Sequence, residues 1–354
     1  MNILITGIAG FVGHKLSSYL IDHGESVQIY GIDNLVRRGG EFNVARLQAS
    51  GVKFVHGDIR LKEDIDELPK VDWIIDCAAI PTVTAGLQGG TSQVVSHNLI
   101  GTLNLLEKCR RDGAGFVMLS TSRVYSISSL YQIPLTEKAD AFQIDSIKPS
   151  PLGFSVKGIN ESFSTMPPVS LYGATKLASE VMALEYGASF QFPVFINRCG
   201  VLAGPGQFGK IDQGIFSYWI YQWLLDRPLR YIGFGGTGKQ VRDFFHPDDL
   251  ADLVLQQIKF PDKGKETKIL NVGGGVNSSL SLKQLNNWCQ REFKREKKID
   301  TDLTTRPFDI PLYITDYSQA EKIWNWKPSI SSDVILEQIH RYATDHRDLI
   351  ASFS

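Results

Sequence analysis

Cysteine is scarce in this chain. Cys77, Cys109, Cys199 and Cys289 are scattered, with no paired spacing that would mark a disulfide framework. Cys77 and Cys199 fall in apolar, strand-like runs and read as buried thiols, which suits a reducing compartment. An excess of one charge is missing as well. Thirty-seven Lys and Arg stand against 38 Asp and Glu, and Arg37-Arg38 and Arg110-Arg111 are only pairs. A nucleic-acid surface built on bulk charge is therefore not expected. The seven histidines show no metal-ligand spacing, so no metal is expected. No apolar run is long enough to span a bilayer, and the chain opens directly on a strand; no membrane association and a cytoplasmic location are expected. Internal repeats and low-complexity linkers are absent too. What remains is 43% hydrophobic, enough to bury a substantial core as one large domain or two lobes.

What is present begins at the first residues. An apolar strand, Asn2 to Thr6, runs into glycines at 7, 10 and 13. Thr-Gly-x-x-Gly-x-x-Gly between a strand and a helix is a phosphate-cradling turn. Gly7 permits the tight turn, Gly10 allows a pyrophosphate close to the backbone, and Gly13 lets the helix pack on the strand. Phe11 and Val12 lie at that helix N-terminus.

A second feature is Tyr172-Gly173-Ala174-Thr175-Lys176. The pattern after it is helical, with Leu177, Val181, Leu184 and Tyr186 expected on the apolar side and Glu180 and Glu185 opposite. Residues four apart share a helix face, so Tyr172 and Lys176 point the same way. A tyrosine hydroxyl, unperturbed pKa ~10, is a poor base at neutral pH. A nearby ammonium favours the phenolate, and lowering the pKa by ~3 units needs ~4 kcal/mol of differential interaction. Upstream, Phe116-Val117-Met118-Leu119 reads as a buried strand ending in Ser120-Thr121-Ser122-Arg123-Val124-Tyr125. Its hydroxyls would sit at a strand's carboxyl end, where ligands bind in an open parallel sheet.

A glycine turn, a hydroxyl-bearing strand end and Tyr-x-x-x-Lys, in that order, resemble the extended short-chain dehydrogenase/reductase family, which includes sugar-nucleotide epimerases and dehydratases. Strand-like runs at Asn2–Thr6, Ser26–Ile32, Lys53–His56, Trp73–Ala78, Gly115–Leu119 and Pro193–Asn197 alternate with helical patterns near 11–23, 41–49, 62–67, 93–111 and 171–187. This rhythm predicts an α/β fold, a doubly wound parallel Rossmann sheet. A later run, Lys268–Val272, reads as a further strand. The rhythm breaks after residue 198, where helical patterns near 212–226, 281–293, 316–324 and 332–347 suggest a smaller C-terminal substrate lobe. The expected division is 1–198 plus about 244–275 for the dinucleotide-binding domain, and about 199–243 and 276–354 for the lobe. Residues 126–169, rich in Pro, Ser and Asp, read as a flap beside the active site.

The second strand ends in Asp33-Asn34. An acid there bonds a ribose diol and repels a 2′-phosphate, which favours NAD over NADP; Arg37 and Arg38 pull the other way. The resemblance implies an adenine contact from Asp58, beside Ile59, and close passage of the dinucleotide over Ala78 and Ala79. It also implies that Asn98 orders the active site through adjacent backbone or water. By the same resemblance Tyr172 is the base, Thr121 hydrogen-bonds the same substrate oxygen, and Lys176 also binds the nicotinamide ribose.

Dehydratases of the family carry Asp-Glu after the Ser/Thr. This chain has Ser122-Arg123, and Arg stays protonated, so dehydration is not expected. The substrate implied is a nucleotide-diphosphate sugar. Gln240-Val241-Arg242-Asp243 resembles the segment whose Arg grips the diphosphate, and Arg306 stands in a second such segment. Relatives place an Asn three residues after the Arg of the sixth strand; here that position is Val201, and the contact falls to Asn197 or Gln207. Gly233-Phe234-Gly235-Gly236-Thr237-Gly238-Lys239-Gln240 nearly matches a Walker loop but ends in Gln240, and is read as a nucleotide-flanking loop. Thr121-Ser122-Arg123-Val124-Tyr125, the 126–169 insert and Ile211-Asp212-Gln213-Gly214 are most similar to the CDP-paratose (CDP-tyvelose) 2-epimerase subgroup. That favours a CDP-sugar and chemistry at C2. Family members often pair through two long helices, so a homodimer through about 93–111 and 171–187 is expected. The tryptophans of Ile323-Trp324-Asn325-Trp326 read as packing.

Overall fold

The structure is a computed structural model and describes residues 1–81, 84, 86–87, 89–211 and 213–353. Labels here number only the strands of the central sheet and the principal helices against it. Seven strands form one parallel sheet: β1 (Asn2–Thr6), β2 (Gln28–Asp33), β3 (Lys53–His56), β4 (Trp73–Asp76), β5 (Gly115–Thr121), β6 (Val194–Cys199) and β7 (Ile269–Val272). Their spatial order is β7-β6-β5-β4-β1-β2-β3. A parallel sheet is covered on both faces, which explains the near-continuous apolar runs. Alternation sends Ile3 and Ile5 to one face, against Leu16 and Leu20 of α1 (Phe11–His23), Leu47 of α2 (Glu41–Ala49) and, further on, Leu250 and Val254 of α5 (Pro247–Lys259). Leu4, Ile74 and Phe116 face the other way, onto Leu105 and Leu106 of α3 (Gly101–Asp112) and Ala183 of α4 (Ser170–Phe190). The strand order reverses between β1 and β4, which opens a crevice at their carboxyl ends.

Where a single helix is expected over 93–111, the chain makes a short α-helix, Thr91–Val95, then a π-helical turn, Ser96–Ile100, then α3. A wide turn inside a helix re-aims the side chains in it, here including Asn98. The largest departure concerns α4. Ser179 is 0% and Glu180 1% exposed, whereas Val181 is 54% exposed. Leu177, Leu184 and Tyr186 are half-buried and pack on the cores as the pattern predicts, and Glu185 is exposed; Val181 faces outward and Glu180 turns inward, because the sheet tips beneath α4 offer polar partners.

The 126–169 insert is not a loose flap. It holds a helix, Ile127–Tyr131, and two small hairpins, Leu135–Glu137 with Phe142–Ile144 and Phe154–Ser155 with Gly158–Ile159. It is pinned to the C-terminal part of the chain by Lys239–Glu137, Lys283–Asp140 and Phe142 N to Lys239 O. It also covers the exposed edge of β7: Asn271 donates its backbone N–H to Glu161 Oε1 (2.7 Å) and its Nδ2 to Ile159 O (2.8 Å). An edge strand satisfied in this way offers no template for another chain.

The second lobe has a four-stranded sheet built around Val241–Phe245. Its core gathers Trp219 and Trp223 from helix Ile215–Leu224, Leu285 from Leu282–Glu292, and Ile335 and Ile339 from Ser332–Asp345. Trp324 and Trp326 are buried against the central sheet, Trp326 donating to Asp249 O. Among the described residues no helix is long and apolar enough to cross a membrane.

Candidate active site

A cleft of about 1010 Å³ runs from the crevice at β1 and β4 to the second lobe. The glycine turn forms its floor. Gly7 has φ +59°, and a Cβ there would stand 3.0 Å from Ala78 Cα. A Cβ on Gly13 would stand 2.4 Å from Gly7 O and 2.8 Å from Ile8 Cα, so α1 packs on the turn only with glycine at that place. No side chain caps α1, and Gly10, Phe11, Val12 and Gly13 line the cleft. An uncapped helix N-terminus lined by glycine fits a pyrophosphate.

Asp33 sits at the tip of β2. Its Oδ2 accepts from Ala9 N (3.0 Å) and its Oδ1 from Leu35 N (2.9 Å), while burial raises its carboxyl above the usual range. It lines the cleft beside Asn34, whose amide donates to Asp58 (3.0 Å). Asp58 departs from expectation. Its carboxylate is held by Arg60 (2.6 Å), and this pairing pulls its pKa well below the carboxylate range. Gly57 and Ile59, rather than the Asp58 carboxylate, form the cleft wall there. Ala78 and Ala79 line the opposite side with Cys77.

At the tip of β5, Thr121 accepts from Arg123 N (3.2 Å) and faces Tyr172. The approach of α4 is very close: a Cβ on Gly173 would stand 2.2 Å from Arg123 O. That explains the glycine between Tyr172 and Ala174. Tyr172, Thr121, Ser122 and Arg123 all line the cleft. The phenol is not acidic in the protein alone. Burial pushes Tyr172 up to about 12, while Thr121 and, more weakly, Arg123 act downward.

Lys176 is 1% exposed, and no hydrogen bond or ion pair holds its ammonium among the described residues. Cys77 and Cys199 flank it. Asn98 is fully buried and does not reach the cleft. It accepts from Ile80 N (2.8 Å) and donates to Ile80 O (3.2 Å) and Thr175 Oγ1 (3.2 Å). It thus ties the loop after β4 to α4.

The second lobe supplies the far wall. Arg242 donates to Asp309 Oδ1 (2.8 Å) and Ile310 O (2.7 Å), and burial lowers its guanidinium to about 10. Arg123 stands near enough to act on it, and donates weakly to Phe308 O (3.4 Å). Arg306 donates to Ile211 O (3.2 Å). Arg123, Arg242 and Arg306 thus line the cleft with one paired carboxylate, Asp309, among them. Gln240 lines it too, its Nε2 bonded to Ile232 O (2.7 Å) and its Oε1 buried without a partner among the described residues. Gln207 is on the wall, its amide engaged by Leu202 O (3.0 Å) and Ser217 Oγ (3.0 Å). Asn197 is not on it. Its side chain is fully buried and exchanges two hydrogen bonds with Gln257 (3.0 and 2.9 Å), because its position on β6 points it at α5. In the Ile211–Gly214 segment, Asp212 lies outside the described residues. The near-Walker loop runs into strand Val241–Phe245, not a helix, so it has no N-terminus to offer a phosphate.

Sequence reasoning missed three features of the wall. Cys77 and Cys199 enter it because each stands at or just past a strand tip. Asp309, which restrains Arg242, carried no signal of its own. Phe208 closes the outer rim, packed against Phe353 of the C-terminal helix (ring centroids 4.5 Å apart).

A strand-tip Thr and a Tyr at a helix start, beside a glycine turn, define a dinucleotide-dependent oxidoreductive site. The chain belongs to the NAD dependent epimerase/dehydratase family, which it matches over residues 3–273, and NAD is that family's cofactor. It is 29% identical to CDP-paratose 2-epimerase from Salmonella typhi, over 94% of this chain and 96% of that one. It is 28% identical to UDP-glucuronate 4-epimerase from Thermodesulfobacterium geofontis, over 99% and 98%. Among solved structures it is similar to UDP-glucuronic acid 4-epimerase from Bacillus cereus in complex with UDP-glucuronic acid and NAD. There the TM-score is 0.76 at 25% identity, covering 98% of this chain and 99% of that one.

Proposed function

We propose that this protein is a nucleotide-sugar epimerase that oxidises one sugar carbon and reduces it again on the other face, acting on a CDP-sugar at C2. The observation that carries epimerisation over dehydration is the cleft beside Tyr172. The residues after Thr121 are Ser122 and Arg123, with no carboxylate to expel a hydroxyl. Similarity to the CDP-paratose 2-epimerase supports the base and the carbon.

The glycine turn would hold the pyrophosphate and Asp33 the adenosine ribose. Lys176, an ammonium with no partner among the described residues, would meet the nicotinamide ribose. When bound, NAD supplies a reversible hydride acceptor. Tyr172 takes the proton of the substrate hydroxyl as its carbon is oxidised, and Thr121 holds the same oxygen. Arg242 and Arg306 hold the diphosphate. The keto sugar turns over in the cleft, and Tyr172 returns the proton. No net NADH is released.

The test is incubation of NAD-loaded protein with CDP- and UDP-sugars in deuterated buffer, followed by NMR of the products. Inversion at C2 of a CDP-sugar is expected. Retention of C2 with every sugar tried would sink that reading. Inversion of UDP-glucuronate at C4 would favour the second reading, which the 28% identity to a UDP-glucuronate 4-epimerase supports. Stoichiometric NADH release would mark a dehydrogenase. Unchanged turnover in Tyr172→Phe would remove Tyr172 as the base. A protein that binds NAD but turns over no sugar would be a dinucleotide sensor.

We also infer a homodimer and a cytoplasmic location. Val95 and Ile100, just before α3, and Leu171 and Val181 on α4 are exposed apolar residues on the two helices expected to pair. All four cysteines are free, which suits a reducing compartment.

A further inference from the structure

Tyr172, Lys176 and Glu180 succeed one another at four-residue steps, so all three share one face of α4. Glu180 is buried, and nothing in the chemistry above uses it. Ser120, the neighbour of Thr121 on β5, donates its hydroxyl to Glu180 Oε1. Arg198 on β6 reaches the same carboxylate through Nη2 (2.6 Å to Oε2) and Nε (3.1 Å to each oxygen). Arg198 is itself 5% exposed. Its guanidinium lies 5.2 Å from the Tyr125 ring and donates to Tyr125 Oη (3.3 Å). Tyr125 Oη in turn donates to Asn271 Oδ1 on β7 (2.6 Å). On its other flank α4 is held by Ser179 Oγ, which donates to Asn98 O (2.8 Å), and by the Asn98–Thr175 bond.

A buried ion pair is poor evidence for stability, because well-packed apolar side chains of similar volume often do as well or better. What an apolar pair lacks is direction. Two carboxylate oxygens bonded to donors on adjacent strands fix a helix against both rotation and sliding. Here those strands are β5, which carries Thr121, and β6, which ends at Cys199 in the cleft wall.

We propose that Glu180 is a positioning residue: by holding Ser120 and Arg198 it sets the rotation and axial register of α4 on the tips of β5 and β6, and so fixes where the Tyr172 hydroxyl meets Thr121. This rests on Tyr172 being the base. A displacement of ~1 Å at a reacting group can cost ~100-fold in rate, so a loose α4 would impair chemistry before it impaired folding.

The test uses NAD-loaded protein labelled with 3-fluorotyrosine, with the Tyr172 resonance assigned by its loss in Tyr172→Phe. Three variants are titrated by fluorine NMR: Ser120→Ala, which removes one bond without stranding Arg198, Glu180→Gln, and Glu180→Leu with Arg198→Met, which replaces the pair by apolar side chains. In the folded variants the Tyr172 midpoint is expected to rise by about one unit or more, with kcat lowered ~10-fold or more and KM little changed. Should Glu180→Gln fail to fold, Ser120→Ala and the double variant carry the test. Folded variants whose Tyr172 titrates within ~0.3 units of the parent, at unchanged kcat, overturn the proposal alone. Unchanged turnover in Tyr172→Phe overturns the reading of the base, and the proposal with it.

Discussion

Asp243 follows Arg242 in sequence but is turned away from the cleft, into the core. It is 0% exposed. Its Oδ2 accepts from Gly275 N (3.1 Å), Thr315 lies close by, and Oδ1 has no hydrogen-bond partner among the described residues. Burial, the largest influence, raises the carboxyl from 3.8 to about 6. The folded state therefore holds this proton more tightly than the unfolded chain. The resulting stability is fully present below pH 3.8 and is lost as pH rises through about 6. About two pKa units correspond to ~3 kcal/mol, a large share of the 5–15 kcal/mol typical of a folded domain. Asp243→Asn keeps the shape, removes the charge, and can donate to Thr315 Oγ1. Urea unfolding of both proteins between about pH 4 and pH 8 tests this, because the difference cancels every other titrating group. The stability of the variant minus that of the parent should climb by ~3 kcal/mol as pH rises through about 6. A flat difference would refute the burial argument. A variant weaker at every pH would show that the ionised carboxylate is better satisfied than its surroundings suggest.

Tyr172, pushed up to about 12 by burial in the protein alone, should titrate lower once NAD is bound, because the cofactor brings a cationic ring to the cleft. Ultraviolet difference titration against Tyr172→Phe, with and without NAD, reads this, and no downward shift would contradict it. Gly13→Ala sets a methyl 2.4 Å from Gly7 O, so it should destabilise the fold by ~1–3 kcal/mol and weaken NAD binding by displacing α1. Thermal unfolding and equilibrium dialysis measure the two effects, and wild-type values for both would refute the packing argument. Val181→Glu on α4 should leave monomer stability within ~0.5 kcal/mol while dissociating the proposed homodimer, as read by light scattering.

The sheet was legible because each of its strands is an apolar run closed by a turn signal, and a sheet covered on both faces demands that pattern. The glycine turn was legible because it is local: Gly7 and Gly13 are dictated by contacts within a few residues or with the adjacent strand. The inward turn of Glu180 on α4 was missed for the opposite reason. Periodicity sends charge outward unless a partner waits, and the partners of Glu180 come from residues 120 and 198, far away in sequence. Asn197 was misassigned on the same grounds, since only the packing of α5 on β6 supplies Gln257. The helix and hairpins of the insert were not legible in its Pro- and Ser-rich composition, because its fastening is made by Lys239, Lys283 and Asn271, far away in sequence.

These outcomes bear on which carbon reacts. In the proposed reaction Tyr172 and Thr121 would act on any secondary hydroxyl brought between them. Nothing in the pair itself distinguishes C2 from C4. That choice must lie in how the diphosphate and sugar are seated, hence in the wall formed by Arg123, Arg242 and Arg306. Arg242 is held by Asp309, while among the described residues the Arg123 guanidinium donates one long bond, to Phe308 O. Exchanging Arg242 should therefore weaken substrate binding broadly. Exchanging Arg123, beside Tyr172, should change which hydroxyl is presented. Arg123→Ser offers the decisive comparison, as it removes the guanidinium while leaving Thr121, Tyr172 and the proposed diphosphate contacts of Arg242 and Arg306 in place. If its products are inverted at the same carbon as those of the parent, with the same preference among sugars, then Arg123 does not set regiochemistry. The determinant would have to lie deeper in the second lobe.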